Sequence, residues 1–152
     1  MKFSAVEDIA APLSHVWDKV SDFDYFEGRI AGRAGRVERV PLGPVGQGTS
    51  WAGRASLNGK MRDVKMRLAT FSEGDAMSLL GGTDGMQVSV DVQLLALGPK
   101  NTRLTVVTEA KARTLAARLM LQSARLARGT LAKRYKTRVA GFAEAIEKSA
   151  TG

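Results

Sequence analysis

Apolar residues recur along this chain at two spacings, and the change from one to the other divides it. From 113 to 148 the sequence reads RTLAARLMLQSARLARGTLAKRYKTRVAGFAEAIEK, without proline and rich in Ala, Leu, Arg and Lys, which are good helix formers. Stepped at 100° per residue, Leu115, Leu119 and Leu126 share one stripe. Leu131, Tyr135, Val139, Phe142 and Ile146 form a second, on roughly the opposite side. The stripes exchange near Gly129. A straight helix over this stretch would reach about 54 Å, whereas a compact domain of this length is only about 40 Å across. The pattern therefore predicts a bend or break at 128–130, with the second half on the core and the first half turning its leucines elsewhere. The competing expectation is one nearly straight helix, in which Ala117, Leu121 and Ala124 carry the second stripe through Arg128.

The middle of the chain has a period of two. Met86, Val88, Val90, Val92 and Leu94 alternate with Gln87, Ser89, Asp91 and Gln93, the clearest half-buried strand in the sequence. Val64, Met66 and Leu68 likewise oppose Asp63, Lys65 and Arg67 within 60–71, and Thr49, Trp51, Gly53, Ala55 and Leu57 share one side of 48–57. Asn58-Gly59 between these two runs is a tight hairpin signal. Shorter strands are expected at 2–10, 36–40 and 76–80, with a closing strand at 102–111. Turns fall at 41–46, 73–75, 81–85 and 98–101, where Gly, Pro, Asn and Asp cluster. Near the start, Pro12 precedes Leu13, Val16, Trp17 and Val20 at helical spacing, as proline at a first helical position does. Ser21-Asp22 can cap a second short helix through Phe23, Tyr25, Phe26 and Ile30, weakened by Gly28.

Strand, two short helices, about six antiparallel strands and one long helix make an α+β chain, with the helix against one face of an antiparallel sheet. Such a sheet curls around its helix. One helix about 10 Å wide leaves part of the concave face uncovered, so a cavity remains unless large side chains fill it. The inward rows carry Gly53, Ala55, Gly81 and several methionines, which favours space over dense filling.

Composition sharpens this picture in three places. The 152 residues suit a single domain, 1–152. Cysteine is absent, so neither disulfides nor thiolate chemistry enters, and the start lacks a signal-peptide pattern. No apolar run is long enough to span a bilayer. We therefore expect a cytoplasmic protein. The net charge of +8 is concentrated: residues 111–138 hold nine of the 23 basic residues and none of the 15 acidic ones. One helix carries the field of the whole protein.

The stretch IAAPLSHVWDKVSDF, with Ile9, Ala11, Pro12, Val16, Trp17, Val20, Ser21, Asp22 and Phe23, together with GQGTSW leading a strand and the long terminal helix, resembles the START-like superfamily (SRPBCC). These are the helix-grip proteins, including birch-pollen-allergen-like proteins, polyketide cyclases and lipid-transfer domains. The resemblance covers essentially the whole chain. It implies a curved sheet of about seven strands around the terminal helix and a deep apolar cavity that takes a hydrophobic small molecule or lipid. It does not single out a chemistry, because one fold hosts many.

On this reading the cavity wall is Phe26, Ile30, Trp51, Met66, Leu79, Val90, Leu104, Tyr135, Val139 and Phe142, acting by shape and burial. The function expected is binding or transport without catalysis. The alternative is an enzyme of the polyketide cyclase or aromatase type, or another reaction inside the cavity. His15, the only histidine, lies beside the first helix's apolar stripe and reads as an ordinary exposed residue. A lone histidine with no cysteine does not suggest a metal site, and no cofactor is expected. Asp63, Asp91 and Glu109 face solvent in the inferred register; a slip of one residue would put them inside. Gly46-Gln47-Gly48 leads into a strand and lacks the Lys-Ser/Thr of a phosphate loop. Met61, Met66, Met77, Met86 and Met120 either line the pocket or fill core space.

The basic helix is a solvated surface by default. Its leucines beside Arg118 and Arg125 also suit an anionic membrane, with Arg128, Lys133 and Arg134 as further contacts. The same leucines could form the seam of a homo-oligomer. Nucleic acid fits worst, since Tyr135 is the one aromatic among these cations.

Overall fold

The computed structural model describes residues 1–34, 36–57 and 59–151, with the side chains of all but 32–34 and 57. β1 (Lys2–Ile9) is followed by α1 (Leu13–Val20) and α2 (Phe23–Ala34). Six strands come next: β2 (Val37–Val40), β3 (Ser50–Leu57), β4 (Lys60–Ser72), β5 (Ala76–Thr83), β6 (Met86–Gly98) and β7 (Asn101–Ala112). The chain ends in α3 (Leu115–Leu126) and α4 (Arg128–Thr151). All seven strands form one curved antiparallel sheet in the order β1-β7-β6-β5-β4-β3-β2. This is the α+β helix-grip architecture. The order follows from the turns: each hairpin lays a strand beside its predecessor, and β1 closes against β7 with Lys2 opposite Glu109.

The core lies between the α1–α2 corner, α4 and the middle of the sheet. Ile9, Val16, Leu68 and Leu104 are fully enclosed there. Thr102 is equally buried, and its hydroxyl donates to the Ala11 carbonyl at 2.9 Å, so the polar group is matched. Trp17 packs on Phe71, ring centroids 5.4 Å apart. α4 lies mainly on β1 and buries Ala143 and Ile146. Among the described residues no helix is long and apolar enough to cross a membrane.

Local boundaries depart from the sequence expectations where tertiary contacts dominate. The terminal helix breaks at Ala127 (φ −104°, ψ 17°), just before the expected 128–130, and Gly129 sits inside α4. The break lets α3 bury Ala117 while α4 turns a different face inward. Thr114 caps the start of α3, accepting from the Ala117 amide at 3.2 Å. Pro12 is the residue before α1 rather than its first turn, with an extended ψ of 151°. Asp22 caps α2 through the Tyr25 amide. Gly81-Gly82-Thr83 belongs to β5 and is not a turn. A Cβ on Gly81 would collide with the Lys65 carbonyl, so the glycine permits close approach of β4. Asn58, half of the expected hairpin signal, lies outside the described residues; Leu57 opposes Lys60 across that hairpin.

Candidate functional site

Between the concave sheet and the helices lies a cavity of about 600 Å³. Its floor is built from one face of five strands. Trp51, Gly53 and Ala55 come from β3, Val64 and Met66 from β4, and Met77 and Leu79 from β5. Val90 and Val92 of β6 and Leu104 and Val106 of β7 complete it. The period of two holds across the sheet because the pairing puts Trp51 opposite Met66, Leu68 opposite Leu79 and Leu79 opposite Val90. The roof is Phe23, Phe26 and Ile30 of α2 with Tyr135, Val139 and Phe142 of α4. Phe26 meets Phe142 at 5.7 Å across the two helices, and Trp51 stacks on Phe23 at 4.8 Å. All ten wall positions named from the sequence therefore border one space.

Three lining residues are exposed: Ile30, Arg54 and Arg138. Ile30 and Arg138 mark where the cavity meets solvent, while Arg54 borders it at the β3 edge with its side chain on the other face of the sheet. Among the described residues β2 pairs with β3 only as far as Gly53. Arg54 has a carboxylate partner, Asp63, at 3.2 Å. Arg138 has none among the described residues.

Polar groups are sparse and held. Tyr135 Oη lies 3.0 Å from Thr108 Oγ1, and its ring packs on Phe3 at 5.7 Å. At the other side is a group the sequence reading passed over. Glu27 borders the cavity, and its Oε1 accepts from Arg39 Nε at 2.7 Å and from the Trp51 indole at 2.6 Å. Arg39 also bonds Asp24 Oδ1 and the Gly43 carbonyl. The carboxylates of Glu27, first, and Asp24 hold the Arg39 guanidinium above its ordinary pKa. A signal for Glu27 was present. It lies four residues after Phe23 and three before Ile30, which places an acid on the apolar face of α2.

Asp63, Asp91 and Glu109 lie on the opposite face of the sheet from the cavity: Asp63 pairs with Arg54, Glu109 lies 3.6 Å from Lys111, and Asp91 is exposed. His15 is not an ordinary exposed residue. It is partly buried, with Nε2 3.2 Å from the Ile146 carbonyl and 2.8 Å from Ser149 Oγ, and so ties α1 to α4. Of the methionines, Met66 and Met77 line the cavity and Met61 is exposed. No cluster of three or more metal-binding side chains occurs among the described residues. Arg118, Arg125, Arg128, Lys133 and Arg134 are all exposed. Leu115, Leu119 and Leu126 lie beside the first of them, 71%, 55% and 92% exposed.

No protein-family profile matches the chain, and no curated protein matches it by sequence. Solved structures do match over nearly its whole length. TTHA0849 from Thermus thermophilus superposes with a TM-score of 0.67 at 14% identity, covering 99% of each chain. The Zhui aromatase/cyclase from a Streptomyces species gives 0.66 at 16% identity, over 97% of this chain and 94% of that one. Norcoclaurine synthase from Thalictrum flavum, in complex with dopamine and hydroxybenzaldehyde, gives 0.65 at 14%, over 97% and 84%. Likeness at such identities speaks for the fold alone, and that fold is the helix grip.

Proposed function

We propose that this protein binds and carries a hydrophobic small molecule or lipid in the cavity between sheet and α4. The observation that carries the reading is the cavity itself, about 600 Å³ with walls almost entirely of aliphatic and aromatic side chains. That volume lies in the range of small-molecule sites. Phe26, Ile30, Trp51, Met66, Leu79, Val90, Leu104, Tyr135, Val139 and Phe142 would be the ligand contacts, each fully covered side chain contributing roughly 1.5–3 kcal/mol. Native purification followed by solvent extraction and mass spectrometry tests this. A stoichiometric apolar compound would support it. Failure of the neutral dye N-phenyl-1-naphthylamine to bind one-to-one would count against it.

The finer part of the proposal places the carrier at an anionic membrane. The exposed Leu115, Leu119 and Leu126 would enter the interface, with Arg118, Arg125, Arg128, Lys133 and Arg134 at the headgroups. Each such cation contributes about 1 kcal/mol near an anionic surface. Arg118→Glu with Arg125→Glu should abolish binding to phosphatidylserine vesicles, and unchanged binding would remove the membrane. If the leucines instead meet a second copy of the chain, the mass in sedimentation will depend on concentration.

A cyclase-like or other cavity enzyme is the second reading, and Glu27 is the observation that favours it. Against it, Tyr135 sits by β7 while Glu27 sits by β3, four places apart in the sheet. The two do not form a paired acid–base centre. Recovery of added ligand in chemically altered form would decide for catalysis.

A further inference from the structure

Glu27 uses only one of its two oxygens. Both donors, Arg39 Nε and Trp51 Nε1, converge on Oε1. Oε2 takes no hydrogen bond among the described residues, yet no side-chain oxygen or nitrogen there is both sealed from solvent and unpartnered. Oε2 therefore keeps contact with solvent, on a residue that borders the cavity.

We propose that Glu27 Oε2 accepts the hydroxyl of the cavity's ligand, so that the ligand is an apolar alcohol or phenol and not a pure hydrocarbon. This rests on the carrier reading. The geometry favours it in three ways. The carboxylate is fixed: two donors on Oε1 hold its plane, and the Trp51 ring that supplies one of them is itself stacked on Phe23. Arg39, 2.7 Å away but shared with Asp24, meets part of its charge, and the apolar walls beside the open oxygen favour a neutral donor over an ammonium that would have to be desolvated. Finally, the surroundings are ring-lined. Trp51 bonds it, and Phe23 and Phe26 line the same cavity, so the hydroxyl would sit on an apolar body that fills the space beside these rings.

Discrimination follows from what a wrong ligand does. An apolar molecule without a donor would displace water from Oε2 and leave a charged acceptor unmet, which costs more than a good bond gains. Sites built to hydrogen-bond a hydroxyl reject the analogue that lacks it for this reason.

The test uses three compounds with one carbon skeleton, 1-tetralol, 1-tetralone and 1-aminotetralin, competing with bound N-phenyl-1-naphthylamine. 1-Tetralol should displace the dye from the wild-type protein at a concentration about tenfold or more below that of 1-tetralone. Glu27→Gln keeps an acceptor for Arg39 and Trp51 but turns an NH2 toward the cavity. The preference should fall to parity or reverse toward the ketone. Equal displacement of the wild type by alcohol and ketone would overturn the hydroxyl proposal while leaving the carrier standing. Stronger displacement by the protonated amine would overturn it in favour of a cationic ligand. If none of the three displaces the bound dye, the hydroxyl proposal is overturned, whereas failure of the dye itself to bind would overturn the carrier reading beneath it. Because the wild-type comparison decides alone, the result stands even where Glu27→Gln does not fold.

Discussion

Leu68 and Leu79 face each other across β4 and β5, yet only one of them borders the cavity. Leu68 is 0% exposed and fully enclosed by the core, while Leu79 is half-buried and lines the open space. Truncating each to alanine removes the same three carbons, about 2.4 kcal/mol of transfer energy if wholly buried. At position 68 the surrounding side chains cannot close the gap, so a cavity term adds and Leu68→Ala should cost about 3–5 kcal/mol. At position 79 the space already exists. No new cavity is made, and only the covered part of the side chain counts, so Leu79→Ala should cost about 1 kcal/mol. In a chain of this size a kilocalorie shifts the melting temperature by roughly 2–4 °C. Calorimetry should therefore separate the pair by several degrees. Dye titration should rank them the other way, with Leu79→Ala losing affinity and Leu68→Ala keeping it at temperatures where it is folded. Equal losses of stability would refute the reasoning, because they would mean that the cavity is closed in solution and both leucines are ordinary core.

Three further outcomes follow from the same structure. Gly81→Ala drives a methyl group into the Lys65 carbonyl and should destabilise by about 1–3 kcal/mol or more, whereas Gly98→Ala, with open space around it, should leave the melting temperature nearly unchanged. Replacing Leu115, Leu119 and Leu126 together by serine should alter thermal stability little, since all three are exposed, while weakening phosphatidylserine-vesicle flotation. Asp8 is held below the usual carboxylate range by hydrogen bonds from the Arg103 guanidinium, at 2.8 and 3.2 Å. Its contribution to stability is thus present above the unfolded value near pH ~4 and fades as pH falls through the folded one. Asp8→Asn should flatten the acid limb of the melting-temperature profile in that window, as a pH series of melting curves will show.

What could be read from the sequence, and what could not, divides along a physical line. The period-two rows of β3 to β7 were legible because one sheet face is apolar throughout, and a residue's side then follows from its parity alone. That is why wall positions as distant as Trp51 and Leu104 could be named together. The break in the terminal helix was legible as a conflict between two stripes but not as a position. Gly129 has a weak helix preference, yet the break falls at Ala127, where α3, packed on β7, gives way to α4, packed mainly on β1. Gly81-Gly82 shows the converse: a pair that spells a turn is kept in β5 by close strand approach. Glu27 was missed for a different reason. A carboxylate on an apolar helical face has two meanings, a mistaken register or a satisfied buried charge. Its partners, Arg39 on β2 and Trp51 on β3, are brought to it only when the sheet edge folds against α2. Periodicity reports which face a side chain takes. It says nothing of which distant donors meet it there, and beside a cavity this apolar a carboxylate whose two donors share one oxygen is where ligand selectivity would arise.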